Sequence, residues 1–157
     1  MIDAIYNYRE ISSALATGGQ PDEHQLHDIA EAGYEVVINL GLVGAGYSVT
    51  NEQELIESKG MQYIHIPVNF DAPEKDKYYE FASLFKALSN KRVFIHCAAN
   101  KRVSVFLALY RITEEQMPIK KAMEELNSMW EPNDIWITYM KEVISNSEKA
   151  AKPDIQY

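Results

Sequence analysis

Three short apolar runs rich in β-branched residues, at 34–40 (YEVVINL), 62–68 (QYIHIPV) and 92–96 (RVFIH), alternate with segments of helical periodicity. Runs that stay apolar instead of alternating with polar residues fit strands covered on both faces. Helices between successive strands imply parallel pairing through right-handed crossovers. The expected fold class is therefore α/β: one domain over 1–157, with a mostly parallel central sheet flanked by helices.

Punctuation residues set the other elements. Pro21 stands at a helix start, Leu26, Ile29 and Ala30 follow at helical spacing, and Gly33 supplies the stop. Residues 41–46 form a glycine-bearing loop, Asn51 caps a short acidic helix ending before Gly60, and Pro67 marks the end of the second strand. Residues 76–89 read as an amphipathic helix, with Tyr79, Phe81, Ala82, Phe85 and Leu88 on one side. Val103, Phe106, Leu107 and Tyr110 carry a further helix, Pro118 opens another, and 133–145 form the last. The tail from Glu148 is polar and expected to fray. The segment YNYREI and the residues near Leu15 are expected to add strands at one edge.

The net charge of −8 disfavours a nucleic-acid or anionic-membrane binder, since such proteins carry broad basic surfaces. Yet between Phe81 and Thr113 there is no Asp or Glu, while Lys86, Lys91, Arg92, Lys101, Arg102 and Arg111 fall in that window. An acidic chain with one acid-free basic segment points to a localised anion site. A single cysteine, Cys97, lies inside it and excludes an internal disulfide. No basic-then-apolar leader and no run long enough to span a bilayer is present, so a cytoplasmic location is expected.

Residues 93–104 (VFIHCAANKRVS) read as strand, tight loop, then helix. Ala98 and Ala99 are small enough for the backbone to close around a ligand, and Asn100 tolerates a left-handed conformation. Such a loop can turn amide N–H groups inward as an anion nest, with the positive end of the next helix aimed at the same point. A thiol there loses its proton more readily, and the thiolate is the nucleophile. Arg102 can fork two donors onto a phosphoryl group. Ser104 can donate its hydroxyl to the thiolate. His96 fits a histidine that hydrogen-bonds the loop, and Lys101 fits a solvated cation. In an α/β sheet this is also the end of the strand where ligands bind.

His96-Cys97, the short loop and Arg102 resemble the phosphate-binding loop of protein tyrosine and dual-specificity phosphatases. The closer resemblance is to the bacterial phosphatase-like family related to the N-terminal part of beta-lactamase-hydrolase-like proteins. Residues 15–21 (LATGGQP), 36–40 (VVINL) and 63–68 (YIHIPV) add to it in the expected order. The resemblance implies a cysteine-phosphatase-like fold and hydrolysis of a phosphomonoester, on a phosphoprotein or a small molecule, with no cofactor. It implies Cys97 as nucleophile, Arg102 as phosphate ligand and residues 98–104 as the substrate loop: Ala98, Ala99, Asn100, Lys101, Val103 and Ser104. It also places a general acid in the loop after the strand bearing Pro67. Asp71 is the first choice and Asp76, which also looks like a helix N-cap, the second.

Four residues separate Cys97 from Arg102, where the usual tyrosine-phosphatase signature has five. The bacterial family shares the shorter spacing, usually with Gly where this chain has Asn100. Rhodanese-type sulfurtransferases also use a loop one residue shorter. A sulfurtransferase and a non-catalytic phosphate-binding module are therefore the rival readings. Gln20 and Asn39 are candidate polar neighbours of the site, better explained as turn and strand-end residues. Trp130 reads as an aromatic anchor in an interhelix turn. His24 and His27 sit three apart among carboxylates on what reads as a solvated face. With His65 and His96 they suggest no metal site.

Overall fold

The computed structural model describes residues 1–151. After a short 3-10 turn, Ile2–Ala4, the elements in chain order are β1 (Arg9–Ser12), β2 (Leu15–Gly18), α1 (Glu23–Glu31), β3 (Val36–Asn39), α2 (Glu52–Ser58), β4 (Gln62–His65), α3 (Lys75–Ala87), β5 (Val93–His96), α4 (Lys101–Glu114), α5 (Ile119–Asn127) and α6 (Asp134–Ala151). The strands form one sheet in the order β1-β2-β5-β3-β4. All neighbours are parallel except β1 and β2, which pair as an antiparallel hairpin. The expected α/β class and mostly parallel sheet are what the chain forms. β5 stands at the centre, with Gly18 and Asn39 both in register with its last residue, His96.

Every residue of β3 and β5 is buried. Their alternation divides the core by face. Val36, Ile38, Val93 and Ile95 join a cluster with Phe81, Phe106, Trp136 and Tyr139 of α3, α4 and α6. Val37 and Phe94 point the other way, onto Leu26, Ile29 and Ile56 of α1 and α2. Period-2 side-chain geometry requires this split, and it explains why the strands read as unbroken apolar runs.

Helix ends differ from the sequence reading in small ways with local causes. α1 starts after Pro21, because Asp22 and Gln25 form a capping box: Asp22 Oδ1 accepts the Gln25 N–H at 2.7 Å and Gln25 Oε1 accepts the Asp22 N–H at 3.0 Å. Asp76 is not the N-cap of α3: Glu74 holds that place, and Asp76 lies in the first turn, where a carboxylate suits the helix dipole. Asn51 precedes α2 in a left-handed conformation and makes no side-chain cap. The final helix does not end at Ser145. It continues through Ala151, so the first residues of the expected frayed tail are helical, and the rest of that tail lies outside the described residues. Among the described residues no helix is long and apolar enough to cross a membrane.

Candidate active site

The chain leaves β5 at His96, turns through residues 97–100 and enters α4 at Lys101. Asn100 makes the turn with φ 65°, the left-handed conformation its side chain tolerates. Its amide Nδ2 ties the loop down, donating to Asn7 O at 2.9 Å and Thr17 Oγ1 at 3.0 Å. The loop carbonyls are engaged elsewhere: Ala98 O accepts the Gln20 N–H at 3.0 Å and Ala99 O accepts Asn7 Nδ2 at 2.9 Å. In a trans peptide the N–H opposes the C=O, so the Ala99 amide is left to the other side. The first backbone bond into α4 is Ser104 N–H to Asn100 O, and the earlier first-turn amides have no intrahelical acceptor.

A pocket of about 200 Å³ opens here, lined by Phe70, Cys97, Ala98, Ala99, Lys101 and Arg102. Cys97 is only 1% exposed but belongs to this lining, at the carboxyl end of the central strand. Arg102 is 4% exposed. Its Nη1 donates to Val68 O at 2.8 Å and its Nη2 lies 3.4 Å from the Tyr47 hydroxyl, while its buried Nε has no partner among the described residues. A buried guanidinium N–H without an acceptor is costly, unless a ligand supplies one.

The remaining candidates divide. Ala98, Ala99 and Lys101 line the pocket, with Lys101 Nζ held over the Trp130 ring at 5.3 Å and the Phe70 ring at 5.9 Å. Lys101 is thus a cation seated on an aromatic pair, not merely a solvated one. Val103 turns its side chain into the core, 1% exposed, so only its backbone is available to a ligand. Ser104 does not donate to the thiol as expected. Its hydroxyl donates to Lys101 O at 2.7 Å and accepts the Trp130 Nε1–H at 3.1 Å, because the first turn of α4 offers a nearer carbonyl. Trp130 is accordingly more than an interhelix anchor: its ring is 5.7 Å from Phe70, a residue that lines the pocket. Asp71 is exposed beside Phe70 and does not line the pocket, and its N–H donates to Asn69 Oδ1 at 3.0 Å. Asp76 is exposed on α3, away from the lining.

Asn39 is a strand-end residue, donating to the Tyr63 hydroxyl at 3.0 Å and accepting the Gly41 N–H at 2.7 Å. Gln20 reaches Glu52, with Nε2 to Oε1 at 2.6 Å. His96, fully buried, places Nε2 2.8 Å from Glu52 Oε2 and Nδ1 3.2 Å from Cys97 O, so it hydrogen-bonds the loop as expected. Burial works to raise the Glu52 carboxyl, but the His96 hydrogen bond, the His96 charge and the Gln20 amide outweigh it and hold the carboxyl below the usual range. Sequence reasoning missed Glu52 entirely: it stands 44 residues from His96 in the chain. His24 and His27 face carboxylates at i+4, half-buried Asp28 at 3.9 Å and exposed Glu31 at 3.1 Å.

Gly19 sets the loop's clearance. A Cβ there would stand 2.6 Å from Ala98 O, a contact with backbone that cannot swing aside. Gly19→Ala is expected to displace the loop, costing about 1–3 kcal/mol of stability and at least tenfold in turnover. Thermal melting alongside phosphate titration checks this. A variant with unchanged melting temperature and phosphate affinity refutes the clearance argument.

A parallel α/β sheet with a cysteine, an arginine and a helix N-terminus at the end of its central strand is the architecture of phosphatases of the tyrosine and dual-specificity type. Solved structures of phosphatases share the fold. The DUF442 protein of Shewanella putrefaciens CN-32 superposes with TM-score 0.82 at 28% identity, covering 93% of this chain and 96% of that one. Tk-PTP in the active form gives 0.76 at 18%, covering 88% and 97%. TpbA of P. aeruginosa, solved in complex with pTyr, gives 0.71 at 15%, covering 92% and 89%. At these last two identities the likeness is one of fold. No curated protein matches the chain. Residues 4–140 match the family described as DSP-PTPase phosphatase fused to NAD+ Kinase, and the chain belongs to that family. Phosphatase activity is thus the general reading of fold and family together.

Proposed function

We propose that this protein is a cysteine-dependent phosphatase that hydrolyses phosphomonoesters through a cysteinyl-phosphate intermediate. The supporting observation is one small pocket that gathers Cys97, the loop of Ala98 and Ala99, and a buried Arg102 with an unpartnered Nε. In this reading the loop amides and Arg102 hold the phosphoryl oxygens. The Cys97 thiolate attacks phosphorus, the ester P–O bond breaks, and Asp71 gives its proton to the leaving oxygen. Water then attacks the cysteinyl-phosphate with Asp71 as base, returning thiolate and inorganic phosphate. No cofactor takes part. Asn100, Lys101 and Val103 contribute backbone to the cradle, and Ser104 acts by fixing the Lys101 carbonyl.

The substrate is a phosphoprotein or a small phosphomonoester. TpbA has been solved with pTyr and PTPMT1 with PI(5)P, which makes a phosphotyrosine and a phosphoinositide test substrates for this chain. The net charge of −8 favours neither nucleic acid nor an anionic membrane as partner, and we assign the protein to the cytoplasm.

The direct test is hydrolysis of p-nitrophenyl phosphate with inhibition by vanadate, a mimic of the five-coordinate transition state. Phosphate affinity without turnover supports a binding module instead, and sulfur transfer from thiosulfate to cyanide supports a sulfurtransferase. Replacing Asp71 by Asn is expected to slow esters with poor leaving groups by roughly 10²-fold. It should slow p-nitrophenyl phosphate less, since that leaving group scarcely needs a proton. Equal rates on both substrates for wild type and variant remove Asp71 from the mechanism.

A further inference from the structure

The peptide joining Phe70 to Asp71 is held at both of its polar groups. Trp136 Nε1–H donates to Phe70 O at 2.9 Å, and the Asp71 N–H donates to Asn69 Oδ1 at 3.0 Å. The two groups share one plane, so both bonds fix the plane from which the Asp71 side chain departs. Two further carbonyls of the same loop are tied. Arg102 Nη1 donates to Val68 O at 2.8 Å before Asp71, and the Tyr139 hydroxyl donates to Glu74 O at 2.8 Å beyond it. Trp136 and Tyr139 both come from α6 and are buried, with ring centroids 5.1 Å apart. Trp136 is itself fixed: its backbone N–H donates to Asn133 Oδ1 at 3.0 Å, and its ring packs on Phe106 of α4 and on Phe70. Donors rooted in the core do not swing with a loop, and moving the loop off them leaves buried groups unsatisfied.

We propose that Trp136 is a positioning residue for the general-acid step: from α6 its indole N–H fixes the peptide that carries Asp71, and with Tyr139 it keeps the acid loop as a fixed shelf beside the pocket instead of a moving lid. This rests on the reading of Asp71 as the acid. The carboxylate of Asp71 makes no hydrogen bond or ion pair among the described residues, and the side chain is exposed. Its placement therefore depends on the backbone beneath it and on its own rotamer. Phe70, the other half of the clamped peptide, lines the pocket with Cys97 and Arg102, so the same bond sets the acid's distance from the phosphoryl site.

The test uses the intact chain and two substrates. Phenyl phosphate has a leaving oxygen that needs a proton, and p-nitrophenyl phosphate has one that scarcely does. On each, kcat/KM reports transfer to Cys97, the step in which that proton is given. Trp136→Phe keeps an aromatic ring and removes the donor. Misplacing a catalytic group by about 1 Å costs on the order of 10²-fold. The ties at Val68 and Glu74 remain, so the expected loss is roughly tenfold on phenyl phosphate and under about twofold on p-nitrophenyl phosphate. Tyr139→Phe, which frees Glu74 O, should move the ratio of the two substrates in the same direction. Added to Asp71→Asn, Trp136→Phe should cause no further loss on phenyl phosphate, because the group it positions is gone. A merely structural Trp136 lowers both substrates equally, through the folded fraction. An unchanged ratio in Trp136→Phe therefore overturns the proposal. If that variant does not fold, Tyr139→Phe carries the test, and an unchanged ratio there overturns it equally. Asp71→Asn separates this outcome from the reading beneath it. If Asp71→Asn leaves the ratio unmoved, Asp71 is not the acid and the proposal falls with it. If Asp71→Asn moves the ratio and Trp136→Phe does not, the proposal alone falls.

Discussion

Replacing Cys97 by serine is expected to abolish phosphomonoester turnover, by on the order of 10⁵–10⁶-fold, while leaving phosphate binding nearly intact. The asymmetry follows from the pocket. In the proposed reaction, anion binding rests on the loop amides, the start of α4 and Arg102, none of which the substitution touches. Chemistry depends on an ionised nucleophile. Sulfur is the far stronger nucleophile of the two, and a serine hydroxyl in the same place lacks that reactivity. Single-turnover assays with p-nitrophenyl phosphate and a parallel phosphate titration separate the two effects. A serine variant with full turnover refutes the cysteinyl-phosphate pathway.

Arg102→Lys should cost on the order of 10³-fold in kcat, comparable with removing an oxyanion-stabilising donor elsewhere. The charge is kept, so the loss isolates geometry. Nη1 of Arg102 is committed to the Val68 carbonyl at 2.8 Å, and the remaining edge of the guanidinium, including the unpartnered Nε, is what stays available to a phosphoryl group. An ammonium has no fork: it either meets Val68 O or reaches the phosphate. Steady-state kinetics on the variant should show kcat falling by much more than KM rises. A variant within threefold of wild type shows that the guanidinium fork is dispensable.

Cys97 and Arg102 are readable because strand, small loop and helix are contiguous: the run at 92–96 announces a buried strand, and Asn100 announces a left-handed turn. Both depend on φ/ψ preferences and side-chain periodicity within a few residues. The Ser104 hydroxyl donates to Lys101 O and not to Cys97, because a hydroxyl on a first helical turn chooses among groups within about 3 Å, a choice that pattern does not encode. Asp71 occupies the expected loop, but the aromatic residue before it, Phe70, is the one that lines the pocket.

By itself, then, the amino-acid sequence determined the strands, the helices between them and the tight loop from β5 into α4, since each depends on neighbours along the chain. Only the tertiary structure decided that β5 sits between β2 and β3, and so which distant segments meet the loop. Glu52 reaches His96, Gln20 reaches Glu52, and Trp130 reaches Ser104, across stretches with no shared periodicity. Their meeting is set by strand order and helix packing, and burial then makes each of those hydrogen bonds costly to leave unmade.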